Sequence, residues 1–431
     1  MKRMIFPCIV AVVAAFAPAG RCDGTWSIVL ADRETGEVAV GTVTCLTSYD
    51  LLAIVPVVVV EKGGAAVQAS GDFDGKRRPI IFKHLKLGTP PVEILDLLSG
   101  ISGHQSRQYG IVDTQGRPLT FTGSQCYAWA GGVVGSQGTM YYAAQGNILA
   151  GDCVVPAIEA ALLETEGDVP AKLMAAMEAA RDAGGDGRCS CSPSDPTGCG
   201  CPPESFTKAG HIGGMIVARV GDVDDPSCTA SGCADGDYFM RLNVAFQSPG
   251  APDPVNQLRD QFDAWRADLE GRPDALRSVV SFDPPSIPPD GSSASTMTIV
   301  LRDWRDLPID VPIDSLTVEH GEDSAEISSI GEVEEQGGGV FTVVLTAGTV
   351  PGTDRFVVTA DDGVRPVILM PAPLLAYTAS GDIDGDGDVD VVDLLALLGA
   401  WGPCAGCPED LDGSAVVDVL DLLILLGNWS S

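Results

Sequence analysis

The chain has 431 residues, with 26 lysines and arginines against 59 aspartates and glutamates, for a formal net charge of −33. That length supplies two or three domains with real cores. The acidity excludes nucleic acid and anionic membrane surfaces as natural partners.

Met1-Lys-Arg opens the chain, followed by an apolar run to Phe16 and then Ala17-Pro-Ala19. These are the n-, h- and c-regions of a secretory signal peptide, and the run is too short to span a bilayer. Residues 1–24 are therefore read as a leader, cut after Ala19 or after Gly24. The mature chain is expected to be secreted or associated with a bacterial cell surface, without a membrane span. Thirteen cysteines suit an oxidising compartment, where disulfides persist. A cut after Ala19 leaves twelve of them, an even number, whereas a cut after Gly24 also removes Cys22.

From Thr25 a strand, a polar turn ending at Gly36 and a second strand predict a β-hairpin at the mature N-terminus. Apolar strands are expected around Leu52–Val60 and Ala65–Ala69, and a short helix near Pro91–Leu98. A hairpin follows over Gln108–Val112 and Leu119–Thr122, turning at Asp113–Gly116. Helical periodicity marks Val155–Leu163, Val169–Arg181 and Pro254–Leu269, with strands at Met215–Val220 and Tyr238–Phe246 between. Hairpins in front and helices behind predict an α+β layered domain over 25–272.

A set of ordered motifs runs through this region: Thr25-Trp-Ser-Ile-Val, Thr35-Gly36-Glu-Val-Ala-Val, Arg107-Gln108-Tyr-Gly-Ile-Val-Asp113, Gly123-Ser-Gln-Cys126-Tyr-Ala-Trp129, Gln145-Gly146-Asn147 and Gly184-Gly185-Asp186. Together they resemble a bacterial and archaeal family of unknown function with an N-terminal-nucleophile (Ntn) hydrolase-like αββα fold, over about 25–268. The resemblance implies that Thr25, once exposed as the first residue, attacks an amide while its own α-amine acts as base. An α-amine near pKa 7.7–8.0 is well placed for that proton at neutral pH. Gly24-Thr25 resembles the bond such precursors cut. Gln145 and Asn147 are candidates for an oxyanion-stabilising amide, with a satisfied turn or buried network as the alternative. Arg107 is a candidate clamp for a substrate carboxylate, with an ion pair as the alternative.

A cysteine-rich insertion at 187–235 carries Cys189-Ser-Cys191, Cys199-Gly-Cys201, Cys228 and Cys233. Zinc would want C-x-x-C spacing, so export favours disulfides, in any of fifteen pairings among these six. No G-x-S-x-G elbow, phosphate-binding loop or H-E-x-x-H motif occurs. His84, His104, His211 and His320 are scattered and read as structural or surface residues.

Past the proline-rich Pro284–Pro289, alternating strands are expected at Thr296–Leu301, Leu316–His320, Ala325–Ile330, Val340–Thr346 and Arg355–Ala360. Met297-Thr-Ile-Val-Leu-Arg-Asp303 and Gly352-Thr-Asp-Arg-Phe-Val-Val-Thr-Ala360 resemble a bacterial Ig-like β-sandwich of the invasin type, set at 280–366.

The C-terminal stretch, 380–431, holds two copies of one pattern. The first runs Asp382-Ile-Asp384-Gly-Asp386-Gly387-Asp388-Val-Asp390-Val-Val-Asp393 before an apolar helix; the second runs Asp410-Leu-Asp412-Gly-Ser414-Ala415-Val416-Val-Asp418-Val-Leu-Asp421. Acids at loop positions 1, 3, 5, 9 and 12, with glycine at position 6, are the oxygen donors and the turn that wrap Ca²⁺. Ca²⁺ is the one cofactor expected. Ala415 replaces that glycine and Ser414 an acid, so the second site should bind more weakly. Prolines argue against an entering helix before either loop. Two loop-helix halves without entering helices resemble a dockerin type I module, a small all-α calcium-dependent docking domain. Positions 10 and 11, where dockerins recognise a cohesin, are apolar here: Val391, Val392, Val419 and Leu420. Cys404 and Cys407 between the repeats are read as a small disulfide.

The assembled expectation is a secreted amidohydrolase of Ntn type, attached to a cohesin-like or cell-surface partner through its C-terminus. The first alternative is a non-catalytic binding or adhesion protein on the same scaffold. The second is an accessory protein of polysaccharide or cell-wall degradation.

Overall fold

The computed structural model describes residues 24–309, 313–322, 324–378, 381–385, 388–404 and 406–429. The expected leader, apart from Gly24, lies outside the described residues, as do Asp386 and Gly387 of the first acidic loop. The chain divides into two units, Met1–Gln261 and Phe262–Ser431.

The first unit starts with β1 (Thr25–Asp32) and β2 (Val38–Thr44), the expected hairpin, paired from Thr25↔Thr44 to Ala31↔Val38. Then come β3 (Pro56–Val59), β4 (Gly63–Ala69), α1 (Arg78–Lys86), α2 (Pro91–Ser99), β5 (Arg107–Asp113) and β6 (Arg117–Thr122). After these follow β7 (Ala130–Gln137), β8 (Met140–Asn147), α3 (Val154–Glu164), α4 (Val169–Asp182), the single turn α5 (Gly187–Ser190), β9 (Ile212–Ala218), β10 (Met240–Val244) and α6 (Pro254–Asp268), within which the unit ends. One antiparallel sheet has the order β10-β9-β2-β1-β8-β7, and a second the order β3-β4-β5-β6.

The sheets stack face to face. Side chains alternate across a strand, so Val29, Ala31, Val38 and Val40 of the first sheet meet Val58, Ala66 and Val112 of the second. Trp26 faces the other way, beside Gly185, and Leu173 and Met177 of α4 close over Gly41. On the outer face of the second sheet, Tyr109 and Ile111 pack with Ile81 and Leu85 of α1 and with Ile94 and Leu98 of α2. The layers are helix, sheet, sheet, helix. Every residue of β1 and β2 is buried.

In the second unit a β-sandwich joins the sheet β11-β13-β16-β15 to the sheet β12-β19-β17-β14. The strands are β11 (Val279–Asp283), β12 (Ser286–Ile287), β13 (Ala294–Val300), β14 (Ser315–His320), β15 (Ser329–Gly337), β16 (Val340–Thr346), β17 (Gly352–Asp361), β18 (Pro366–Ile368) and β19 (Leu374–Tyr377). β19 pairs with β17, so the sandwich extends to Tyr377, past the boundary expected at 366. β15 starts four residues later than expected because Asp354, fully buried, takes the amides of Ile327 and Ser328 and holds that stretch as a loop.

The C-terminal pattern folds as α7 (Val391–Gly399) and α8 (Val419–Gly427) around a core of Val389, Leu397, Val417 and Leu425. Among the described residues it is not all-α. β20 (Gly402–Pro403) pairs antiparallel with β21 (Val416–Val417), because the loop residues between the helices must satisfy their own amides.

Candidate functional site

Gly24 is buried at the start of β1, and its carbonyl oxygen has three donors. The Thr25 hydroxyl donates to it at 2.7 Å, Arg188 Nη2 at 2.8 Å, and the Thr44 hydroxyl also donates. Thr44 stands opposite Thr25 at the end of β2, placed there by the hairpin register. Arg188 lies on α5, held by Asp186. The fully buried Asp186 carboxylate accepts from Arg188 Nε at 3.0 Å and Nη2 at 2.7 Å, and from the Cys45 amide at 2.9 Å. A disulfide between Cys45 and Cys189 joins the residue after Thr44 to the residue after Arg188. His211 donates its amide to the Thr44 carbonyl at 2.8 Å. Burial, with Lys208 and Arg188 nearby, keeps its imidazole pKa below the ordinary value.

Of the expected site residues, Asn147 pairs directly with Thr25 across β1 and β8. It is fully buried on a strand rather than a turn. Gln145, two residues back, points between the sheets, where a Cβ on Gly110 would fall 2.2 Å from its Oε1. Neither atom of its amide has a hydrogen-bond partner, although the residue is fully buried. A polar layer crosses the same gap. Ser27 Oγ lies 2.5 Å from Gln68 Oε1, Gln68 Nε2 donates to the Thr25 carbonyl at 2.7 Å, and Gln108 Nε2 donates to the Gly146 carbonyl at 2.8 Å. Arg107 is not part of this group. It shares the outer face of β5 with Tyr109, toward the helices, while Gln108 faces the gap. Its guanidinium donates to Ser106 at 3.0 Å.

Thr44 and Arg188 escaped the sequence reading. Asp186 and Thr25 stood in quoted motifs, but nothing local marks a threonine at a strand end or an arginine in a cysteine-rich stretch.

The insertion's cysteines are all disulfide-bonded, and two reach outside it. Besides Cys45–Cys189, the bridges are Cys153–Cys201, Cys191–Cys199 and Cys228–Cys233. The pairing is therefore not one of the fifteen internal to the six. Cys404–Cys407 forms the small bridge expected between the repeats.

In each acidic loop three carboxylates converge, with ligand atoms within 4.8 Å of one another: Asp382, Asp384 and Asp393, then Asp410, Asp412 and Asp421. These are positions 1, 3 and 12. Asp393 and Asp421 are fully buried and accept the Asp390 amide at 2.8 Å and the Asp418 amide at 2.7 Å. Asp390 and Asp418 cap their helices by accepting from Val392 and Leu420, and so stand outside the clusters. Ser414 donates its hydroxyl to the Val416 carbonyl at 3.0 Å. Ala415 does adopt the left-handed backbone expected of glycine, with φ 66°. The donor set is all oxygen, which suits a hard cation such as Ca²⁺. Beside the loops Val391, Val392 and Leu395 lie exposed on α7, and Val419, Leu420 and Leu423 repeat them on α8.

Among the described residues no helix is long and apolar enough to cross a membrane. Five disulfides fit an extracellular or surface setting.

Residues 25–194 match the model of a family of unknown function, DUF1028, and residues 274–365 match that of invasin domain 3. No curated protein matches the chain. Among solved structures, a Silicibacter pomeroyi protein of the DUF1028 family is 21% identical over 56% of this chain and 88% of its own, with a TM-score of 0.37. Yersinia pseudotuberculosis InvD is 24% identical over 24% of this chain and 28% of its own, with a TM-score of 0.20. The bacterial integrin-binding protein invasin is 11% identical over 86% of this chain and 60% of its own, with a TM-score of 0.19. The chain is thus similar to two known families in two successive segments, an amino-terminal one without assigned function and an invasin-type sandwich.

Proposed function

We propose that the chain is an exported binding or adhesion protein, built from a layered amino-terminal domain, an Ig-like sandwich and a calcium-dependent C-terminal module of dockerin type. The observation that carries this reading is the match of 274–365 to invasin domain 3 on a segment that folds as a two-sheet sandwich. The convergent carboxylates would hold Ca²⁺, and the repeated apolar faces of α7 and α8 would meet a cell-surface protein. Their apolar recognition positions set that partner apart from an ordinary cohesin. Exposed apolar faces repeated in register are what a docking surface needs. The test is fractionation of the producing cell. The full chain should be recovered on the cell surface and released by a calcium chelator; recovery wholly in the medium, or retention indifferent to chelation, would sink the reading.

One observation favours a second reading, an Ntn-type amide hydrolase. The Thr25 hydroxyl sits 2.7 Å from the Gly24 carbonyl oxygen, which is itself held by two further donors. Cutting that bond would free the Thr25 amine to act as base for its own hydroxyl. Asn147, opposite Thr25 on β8, is a candidate to assist. Intact mass of the exported protein decides it. A chain beginning at Thr25, lost on Thr25→Ala, supports the reading, and one that still begins at Gly20 rules it out.

A further inference from the structure

We infer that Thr44 and Arg188 stabilise the oxyanion when the Gly24–Thr25 bond is cut, with Asp186 positioning Arg188. This rests on the second reading above and names residues that it leaves open.

The ground-state geometry is already that of a carbonyl cradle. Gly24 O lies 2.8 Å from a guanidinium nitrogen and accepts the buried Thr44 hydroxyl. Donors fixed before the reaction cost no reorganisation when charge develops, and a charge-assisted one strengthens most as the oxygen becomes anionic. Arg188 cannot swing away easily, since Asp186 takes both its Nε and its Nη2. The same carboxylate binds the Cys45 amide, and the Cys45–Cys189 bridge closes the loop behind it. The two halves of the cradle, 144 residues apart in sequence, are thus tied twice.

The step balances without a co-reactant other than water. Thr25 Oγ bonds to the Gly24 carbonyl carbon, the C–N bond breaks, and the hydroxyl proton ends on the Thr25 nitrogen, leaving an ester. Water then attacks the ester, giving a Gly24 carboxylate and a free Thr25 hydroxyl. Both tetrahedral states place their negative oxygen where Gly24 O now sits.

The experiment follows release of the segment ahead of Thr25 by intact mass, using the chain from Gly20 to Ser431 with its disulfides formed. Loss of one oxyanion donor slows such steps about 100-fold or more. Thr44→Val should show that loss in a chain that still melts cooperatively, and Arg188→Ala should show it with a lowered melting temperature, because the buried Asp186 loses its partner. Added guanidinium ion should restore cleavage to Arg188→Ala and not to Thr44→Val, which a merely structural role would not produce. Should Arg188→Ala fail to fold, Thr44→Val carries the test, because it removes one hydroxyl with little change of volume. If wild type cleaves and both variants keep its rate, the inference is overturned and the second reading stands. If wild type stays intact from Gly20, both fall.

Discussion

At position 24 a side chain has nowhere to go. A Cβ there would lie 2.8 Å from Asp186 Oδ2 and 3.0 Å from Arg188 Nη2, so any other residue must push the ion pair off the carbonyl. Gly24→Ala is therefore expected to leave the segment ahead of Thr25 attached, and intact mass showing normal release would count against the cradle. Gln145 poses the opposite problem, a fully buried amide with no partner. An unsatisfied buried polar group costs about 1–3 kcal/mol. Gln145→Met, apolar and of similar length, should raise stability by about 1 kcal/mol in a denaturant melt; a loss would show that the amide is satisfied in solution. Thr25 was legible in the sequence because its motif is local. Thr44 and Arg188 were not, because only strand pairing and a disulfide bring them to the same oxygen.

Whole elements were legible where a local pattern marks them, as the polar turn does for the fully buried β1–β2 hairpin and one wet face does for the helices. The amphipathic helices α3, α4 and α6 emerged within a residue or two of their ends. β8 was missed for a physical reason, and β7 was missed because its sequence Ala-Gly-Gly-Val-Val-Gly-Ser-Gln is glycine-rich and has no apolar alternation although one face is exposed. Nearly all of β8 is buried, so its sequence Met-Tyr-Tyr-Ala-Ala-Gln-Gly-Asn lacks the alternation that marks a half-exposed strand. The two acidic repeats stand out in the sequence because a loop of this kind is written in consecutive residues, and three carboxylates of each converge. Their difference makes a prediction. Ala415 holds φ 66°, a backbone that costs an L-residue about 1 kcal/mol or more. Ala415→Gly should raise the calcium-dependent stability of the full chain by about that amount, read as a larger shift in melting temperature on adding calcium; no difference from wild type would mean that the second loop binds no ion. The turn before β13 makes another. Amides of Ser293 and Ser292, at 2.6 and 2.8 Å, hold the Asp290 pKa down to about 2. A depressed carboxylate stabilises the fold fully above its unfolded pKa of about 3.9 and loses that contribution as pH falls through its folded value. Asp290→Ala should therefore lower stability at neutral pH and flatten the acid limb, and carboxyl NMR finding Asp290 at an ordinary value would refute it.

Across the whole molecule the cysteines are unevenly spread. None lies between Cys233 and Cys404, so the sandwich is built without covalent links, whereas the first unit is closed by Cys45–Cys189 and three further bridges. The sandwich instead relies on an apolar core from Met297, Ile299, Phe341, Val343, Phe356 and Val358. A cross-link stabilises chiefly by restricting the unfolded chain, and more so for a long loop. Closing 144 residues at Cys45–Cys189 should contribute about 5 kcal/mol, less whatever the nested bridges already restrict. The sequence pattern placed the cysteines in an exported chain but left their partners open, because pairing depends on which strand ends meet in space. Calorimetry of the full chain in calcium, with and without a thiol reductant, should therefore separate the units. The transition of the amino-terminal unit should fall steeply on reduction, and that of the sandwich should stay where it was. A sandwich transition that moved equally would mean that the two units unfold as one, and that the cystine framework supports more of the molecule than the unit it is built into.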